Sequence, residues 1–101
     1  MTPVECLRMA EQAVAARGVA YGDAYEFFKG VARRWTWRFG VLISPVDAVD
    51  GMIEFKLQRG QADPIRPDTS VDIAGYGSLR AYVAQRWNAE QGEARARAGA
   101  P

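Results

Sequence analysis

The chain has 101 residues, with 13 Lys and Arg against 12 Asp and Glu, one cysteine, no histidine and 49% hydrophobic residues, which describes one small domain. Without histidine there is no Ser-His-Asp or Cys-His catalysis, and a lone cysteine builds neither an internal disulfide nor a structural zinc site, which needs about four N or S ligands. The formal charge of +1 supplies no general field for nucleic acid, so anion recognition has to come from a local cluster.

Four segments carry helical periodicity. The first is predicted from about Pro3 to Ala16: Thr2 is the N-cap, Pro3 suits the first helical position, Glu5 completes a capping box, and Gly18 stops the helix. Cys6, Leu7, Met9, Ala10, Ala13 and Val14 form its apolar side, leaving Arg8, Glu11, Gln12 and Arg17 for water. After Val19-Ala20-Tyr21-Gly22, a second capping box at Asp23 and Glu26 opens a helix that runs to about Arg38 and ends near Gly40. Its inner stripe, with Phe28, Trp35 and Phe39, is aromatic, whereas Trp37 projects to the other side beside Lys29 and Arg33. Ser44-Pro45-Val46-Asp47 repeats the cap signature and places a third helix from about Pro45 to Arg59, closed by Gly60.

Gln61 to Pro67 holds two prolines and no periodicity, hence a loop, after which Asp68 or Thr69 caps a fourth helix reaching Trp87 or Asn88. Gly75 and Gly77 inside it each cost roughly 1 kcal/mol relative to Ala, which points to a close neighbouring backbone. Residues 89–101, rich in Ala, Gly, Glu and Arg without large apolar side chains, are expected to fray into disorder. Residues 1–88 then form a single all-α domain, most simply a small four-helix antiparallel bundle. A core of this size is modest, and association with a second copy, as a homodimer or higher homo-oligomer, is expected to complete it.

Plotted at about 100° per residue, the third helix gathers Ala48, Val49, Met52, Ile53, Phe55 and Leu57 on one apolar arc with Lys56 near its centre. The fourth gathers Val71, Tyr76, Leu79, Tyr82, Val83 and Trp87, with Asp72 in the middle. Two opposite charges at core-facing positions of consecutive helices have to meet each other or share a hydrated cavity, since either one buried alone costs several kcal/mol. One outcome is a Lys56–Asp72 ion pair that fixes helix register. The other is a polar pocket in which Lys56 and Arg59 hold phosphate, Asp72 holds a metal or a ligand hydroxyl, and Tyr76 lies one turn along. Asp47, Asp50 and Glu54 line one face of the third helix, as a magnesium site with Asp72 or as a solvated helix surface. Lys29, Arg33, Arg34 and Arg38 with Trp35 and Trp37 form a basic aromatic face, and Tyr21 beside a helix N-terminus is placed to stack on a base.

Tyr21-Gly22-Asp23, Phe28, Val31-Ala32, Trp35, Ser44-Pro45-x-Asp47, Met52-Ile53, Lys56, Arg59 and Asp68-x-x-x-Asp72-Ile73-Ala74-Gly75-Tyr76 resemble a family of small phage and prophage proteins of unknown function. The resemblance spans Leu7 to Val83, and the Asp-Ile-Ala-Gly-Tyr run is its most specific part. That family is in turn similar to the MazG-like all-α nucleoside triphosphate pyrophosphatases, whose helices carry acidic magnesium ligands and which commonly dimerise. The resemblance implies a nucleotide-sized pocket with Asp72 at the place of the acid in the last core helix. The pyrophosphatases carry Glu-Glu-x-x-Glu on one helix and Glu-x-x-Asp on a later one; here neither is intact, Asp68 and Asp72 are four apart, and Asp50 and Glu54 are the candidates for the missing acids.

The expected function is therefore that of a phage-derived, MazG-like protein that binds or hydrolyses a nucleotide or nucleotide-like signal. Lys56 and Arg59 would take phosphates, Asp72 the metal or a ribose hydroxyl, and Tyr21 or Tyr76 the base, with Asp68 also among the ligand-binding residues and Mg2+ as the cofactor. The competing expectation is a protein-interaction module that inhibits a host defence factor through Trp37 and the basic face. No stretch reaches the roughly 18 continuous apolar residues of a membrane span, and the N-terminus lacks a secretory pattern, so a cytoplasmic location is expected, that of the host cell for a phage gene.

Overall fold

A computed structural model describes residues 1–99 as four helices: α1 (Pro3–Tyr21), α2 (Ala24–Phe39), α3 (Pro45–Ala62) and α4 (Pro67–Ala98). The all-α class is as expected, and no strand occurs among the described residues. Three of the four starts follow from local chemistry. Thr2 and Glu5 close a capping box, the Asp23 side chain accepts the Glu26 N–H, and Ser44 and Asp47 close a second box. At the fourth, Pro67 takes the first helical position and Arg66 the cap without a side-chain bond, so Asp68 and Thr69 lie inside the first turn and do not cap it.

The ends moved more. Gly18 does not stop α1, which continues to Tyr21 and breaks at Gly22, where φ is +76° and a side chain is disfavoured. A mid-helix glycine lowers stability without ending the helix, whereas a residue at positive φ does end it. Gly40, at φ +70°, ends α2 in the same way. Gly60 does not close α3 either: a Cβ there would sit 2.9 Å from Thr69 Cγ2, so this glycine lets the two helices of the α3–α4 hairpin approach. Among the described residues no backbone approaches Gly75 or Gly77 as expected: a Cβ at Gly75 would meet only the Val14 side chain of α1, at an ordinary 3.6 Å, and Gly77 faces open space. Replacing Gly60 by alanine sets an overpacking cost of about 1–3 kcal/mol against a helix-propensity gain of about 1 kcal/mol. Chemical denaturation should therefore find Gly60→Ala less stable than the native chain by up to about 2 kcal/mol. The loss should shrink when Thr69→Ser removes the opposing methyl group.

The direction of each helix follows from its partners. Gly60 lies against Thr69, Lys56 and Arg59 against Asp72, and Asp50 against Arg80, so α3 and α4 are antiparallel. The chain start borders Arg66–Ser70, Val14 borders Gly75, and Arg17 shares a cleft with Tyr76; α1 thus runs beside α4 in the same direction. The up-and-down antiparallel arrangement is corrected on this point. Only Gly22 and Asp23 separate α1 from α2, and the two helices meet at a corner where Arg17 and Tyr21 contact Phe27. The core forms where α2, α3 and α4 meet, around Tyr25, Phe28, Val49, Leu79 and Val83. Because α1 is on the far side, α3 has only two partners to cover it: Ala48 and Val49 are buried, but Phe55 and Leu57, at the edges of the expected arc, are exposed. Tyr82 is likewise at the surface, where its hydroxyl bonds Asp23.

Expected to fray after Asn88, α4 continues to Ala98, and Ala100 and Pro101 lie outside the described residues. Apart from Gly92, the added turns consist of good helix formers, and they are tied down. Glu90 Oε2 accepts the Tyr25 hydroxyl at 2.6 Å, and Lys29 Nζ donates to Glu90 Oε1 at 3.2 Å. Burial and then Glu90 push the Tyr25 phenol above its ordinary range, so it remains the donor; the Tyr25 and Lys29 hydrogen bonds hold the Glu90 carboxyl below its own. A lowered carboxyl pKa stabilises the fold above the ordinary glutamate value, about 4.3, and that contribution is lost as pH falls through the lower folded value. Amide protection factors in residues 87–98 should therefore fall at acid pH before those of the core, and Glu90→Gln should flatten this dependence.

Candidate functional site

Lys56, Arg59, Asp68 and Asp72 are brought together, as the helical projections anticipate. Asp72 Oδ2 lies 3.2 Å from Lys56 Nζ and 2.7 Å from Arg59 Nη2, and Arg59 Nη2 also stands 3.6 Å from Asp68 Oδ2. Arg66 Nε donates to Asp68 Oδ1 at 2.6 Å, and this hydrogen bond holds the Asp68 carboxyl below its usual range. The cluster is half-buried and hydrated at its rim: 17% of the Lys56 side chain and 29% of the Arg59 and Asp72 side chains remain exposed. Three cations, Lys56, Arg59 and Arg66, stand against Asp68 and Asp72, and each of them is already engaged by one of these carboxylates. Arg59 Nε and Thr69 Oγ1 are buried with no hydrogen-bond partner.

The carboxylates of α3 are employed separately. Asp47 Oδ2 accepts the Ser44 N–H at 3.0 Å, Asp50 takes a forked contact from Arg80 Nε and Nη2, and Glu54 faces solvent. None joins Asp72, whose neighbours are cations that repel a metal ion. Among the described residues no three potential ligands gather around one point. The residues present in one chain therefore do not fit the magnesium set implied by the resemblance, and no catalytic step through a metal follows from them.

A second constellation lies at the corner between α1 and α2. The Arg17 guanidinium sits 4.6 Å from the Phe27 ring centre, 5.0 Å from Phe28 and 5.6 Å from Tyr21. The rings touch one another in turn, with centroids 5.5 Å apart for Tyr21 and Phe27, 5.4 Å for Phe27 and Phe28, and 6.5 Å for Phe28 and Tyr76. They wall a groove of about 380 Å³ that reaches Trp35 and Met52. A cleft of about 110 Å³ between α1 and α4, bordered by Arg17, Asp72 and Tyr76, adjoins it through the two shared residues. Arg17 forms no ion pair among the described residues, so its donors are available. Tyr21 and Tyr76, each assigned to base stacking from the sequence, share this groove, whereas Lys56 and Arg59 do not line it. Arg17 and Phe27 escaped the sequence reading; Arg17-x-x-x-Tyr21, one helical turn apart, was the available signal.

Trp37 remains outside, 86% exposed, beside Arg33, Arg34 and Arg38, none of which is ion-paired among the described residues. Lys29 of the same face is engaged by Glu90.

Residues 5–84 match the family model described as a domain of unknown function, DUF6378. The chain belongs to this family. It is also 36% identical over 75 residues to the Gene 55 protein of Mycobacterium phage L5, a match that covers 72% of this chain and 48% of that protein, so the chain spans about half the length of this curated relative. A small phage family of unknown function is thus shown. No solved structure matches. The family segment contains the whole charge cluster and the aromatic groove, and excludes the α4 turns anchored by Glu90. Among the described residues, no helix is long and apolar enough to cross a membrane.

Proposed function

We propose that this phage-type protein binds a nucleotide or a nucleotide-like signal in the groove between Tyr21 and Tyr76. The observation that supports it is an unpaired guanidinium, Arg17, held among aromatic rings in a concavity of ligand size; small-molecule pockets typically measure about 300–1,000 Å³. A planar base would stack on Tyr21, Phe27 or Tyr76, and Arg17 would donate to a phosphate oxygen at the mouth. Asp72 borders the adjoining cleft, and its contacts with Lys56 and Arg59 both use Oδ2; Oδ1 is left to accept from a ribose hydroxyl or a base amine. Lys56, Arg59 and Asp68 act in this proposal by holding Asp72 in place rather than by touching phosphate.

Binding is favoured over hydrolysis because the carboxylates do not converge within one chain. The MazG-like kinship, with its magnesium chemistry and dimerisation, belongs to the same proposal in its stronger form, in which a second copy would supply missing ligands. Host cytoplasm is the compartment that holds such a ligand. Calorimetry with nucleoside mono-, di- and triphosphates and with cyclic dinucleotides, with and without magnesium, tests it alongside release of pyrophosphate and light scattering. Saturable binding without turnover is the expected result. Turnover would establish the pyrophosphatase form, and no heat with any of these ligands would overturn the proposal.

A further inference from the structure

The end of the molecule opposite the chain start carries a dense exposed apolar patch. Trp37, Phe39, Val41 and Leu42, within six consecutive positions, are exposed by 86%, 62%, 61% and 89%. Thr36 fixes the α2–α3 link beneath them: its hydroxyl accepts the Ile43 N–H at 2.9 Å and donates to the Ile43 carbonyl at 3.3 Å. The link is therefore held in shape while its apolar side chains face water. Between it and α2 lies a groove of about 450 Å³ with walls from Trp37, Leu42, Ile43, Pro45 and Trp87. Arg33 stands on its rim, and Arg34 and Arg38 continue the positive charge around Trp37.

We propose that this surface docks an acidic segment of another protein, an apolar side chain of which enters the groove while flanking carboxylates pair with Arg33, Arg34 and Arg38. An exposed Trp ringed by arginine, ready to be desolvated by a partner, has the composition of an interface hot spot, and three guanidinium groups without ion pairs among the described residues specify a partner of opposite charge. A second copy is disfavoured because a two-fold contact would bring the same three arginines of each chain face to face. Single-stranded nucleic acid would use Trp37 and the arginines but would leave the aliphatic wall of Leu42, Ile43 and Pro45 without a counterpart.

The test is a selection of random displayed peptides against the full chain, followed by fluorescence anisotropy on the enriched peptides and on an oligo-dT strand. The proposal expects enriched peptides that combine acidic residues with a Leu, Ile, Phe or Trp anchor. Their affinity should fall with salt and by roughly tenfold or more in Trp37→Ala and in the Arg33→Ala/Arg34→Ala variant. All three positions are exposed, so circular dichroism should report an unchanged fold. Selected peptides without acidic residues, equal binding to the variants, tighter binding of oligo-dT, or dimerisation lost in Trp37→Ala would each overturn it.

Discussion

Phe28→Ala is expected to lower the unfolding free energy by about 3–5 kcal/mol, the usual cost of truncating a buried phenylalanine. The side chain is 1% exposed, lies in the core made by α2, α3 and α4, meets the Tyr76 ring edge-on and carries the Arg17 guanidinium on its other side. Removing it opens a hole where α1, α2 and α4 meet through Arg17, Phe28 and Tyr76. A domain of this size commands only about 5–15 kcal/mol in total, so urea midpoint and Tm should both drop sharply, and Tyr21 and Tyr76 should lose their fixed relation. Phe27→Ala is the control. Its ring is 37% exposed on the groove side, and the loss should remain below that of Phe28 while still removing a wall of the groove. An equal effect of the two would mean that the rings pack as one surface cluster and not as core and wall.

What the sequence revealed, and what it hid, divides along range. Caps are local, and Thr2, Asp23 and Ser44 announced three helix starts because each needs only a side-chain oxygen and a nearby N–H. Glycine is an ambiguous local signal for a helix end: Gly22 and Gly40 take positive φ and end their helices, whereas Gly18 and Gly60 sit inside helices, the latter against Thr69 across the hairpin. The Lys56–Asp72 encounter was legible because two charged residues on the apolar sides of consecutive helices have few other destinations. That the same carboxylate would also engage Arg59 was not legible, since it depends on register. Nor was the Arg17 groove. Arg17 is a water-facing position on α1 taken alone and becomes a lining residue only because α1 lies parallel to α4 and the corner at Gly22 swings Phe27 and Phe28 beneath it. Composition likewise misjudged residues 89–98, whose order rests on Tyr25 and Lys29 far away in the chain.

Arg17→Met is expected to separate the ligand from the fold. The methionine stem preserves contact with the rings, so the variant should lose only the cation–π attraction, about 0.5–2 kcal/mol, and remain folded. A charge-assisted hydrogen bond to an anion contributes about 1.5–3 kcal/mol, so affinity for any nucleotide that binds the native chain should fall roughly 10- to 100-fold. The remaining affinity should lose its salt dependence, because stacking does not respond to screening as a guanidinium–phosphate contact does. Lys56→Met makes the opposite case. Lys56 is engaged with Asp72 and does not line the groove, so its loss should alter stability and leave affinity close to native. If instead Lys56→Met abolished binding while Arg17→Met did not, the ligand would have to displace Asp72 from its cations, and the phosphate site would be the charge cluster between α3 and α4.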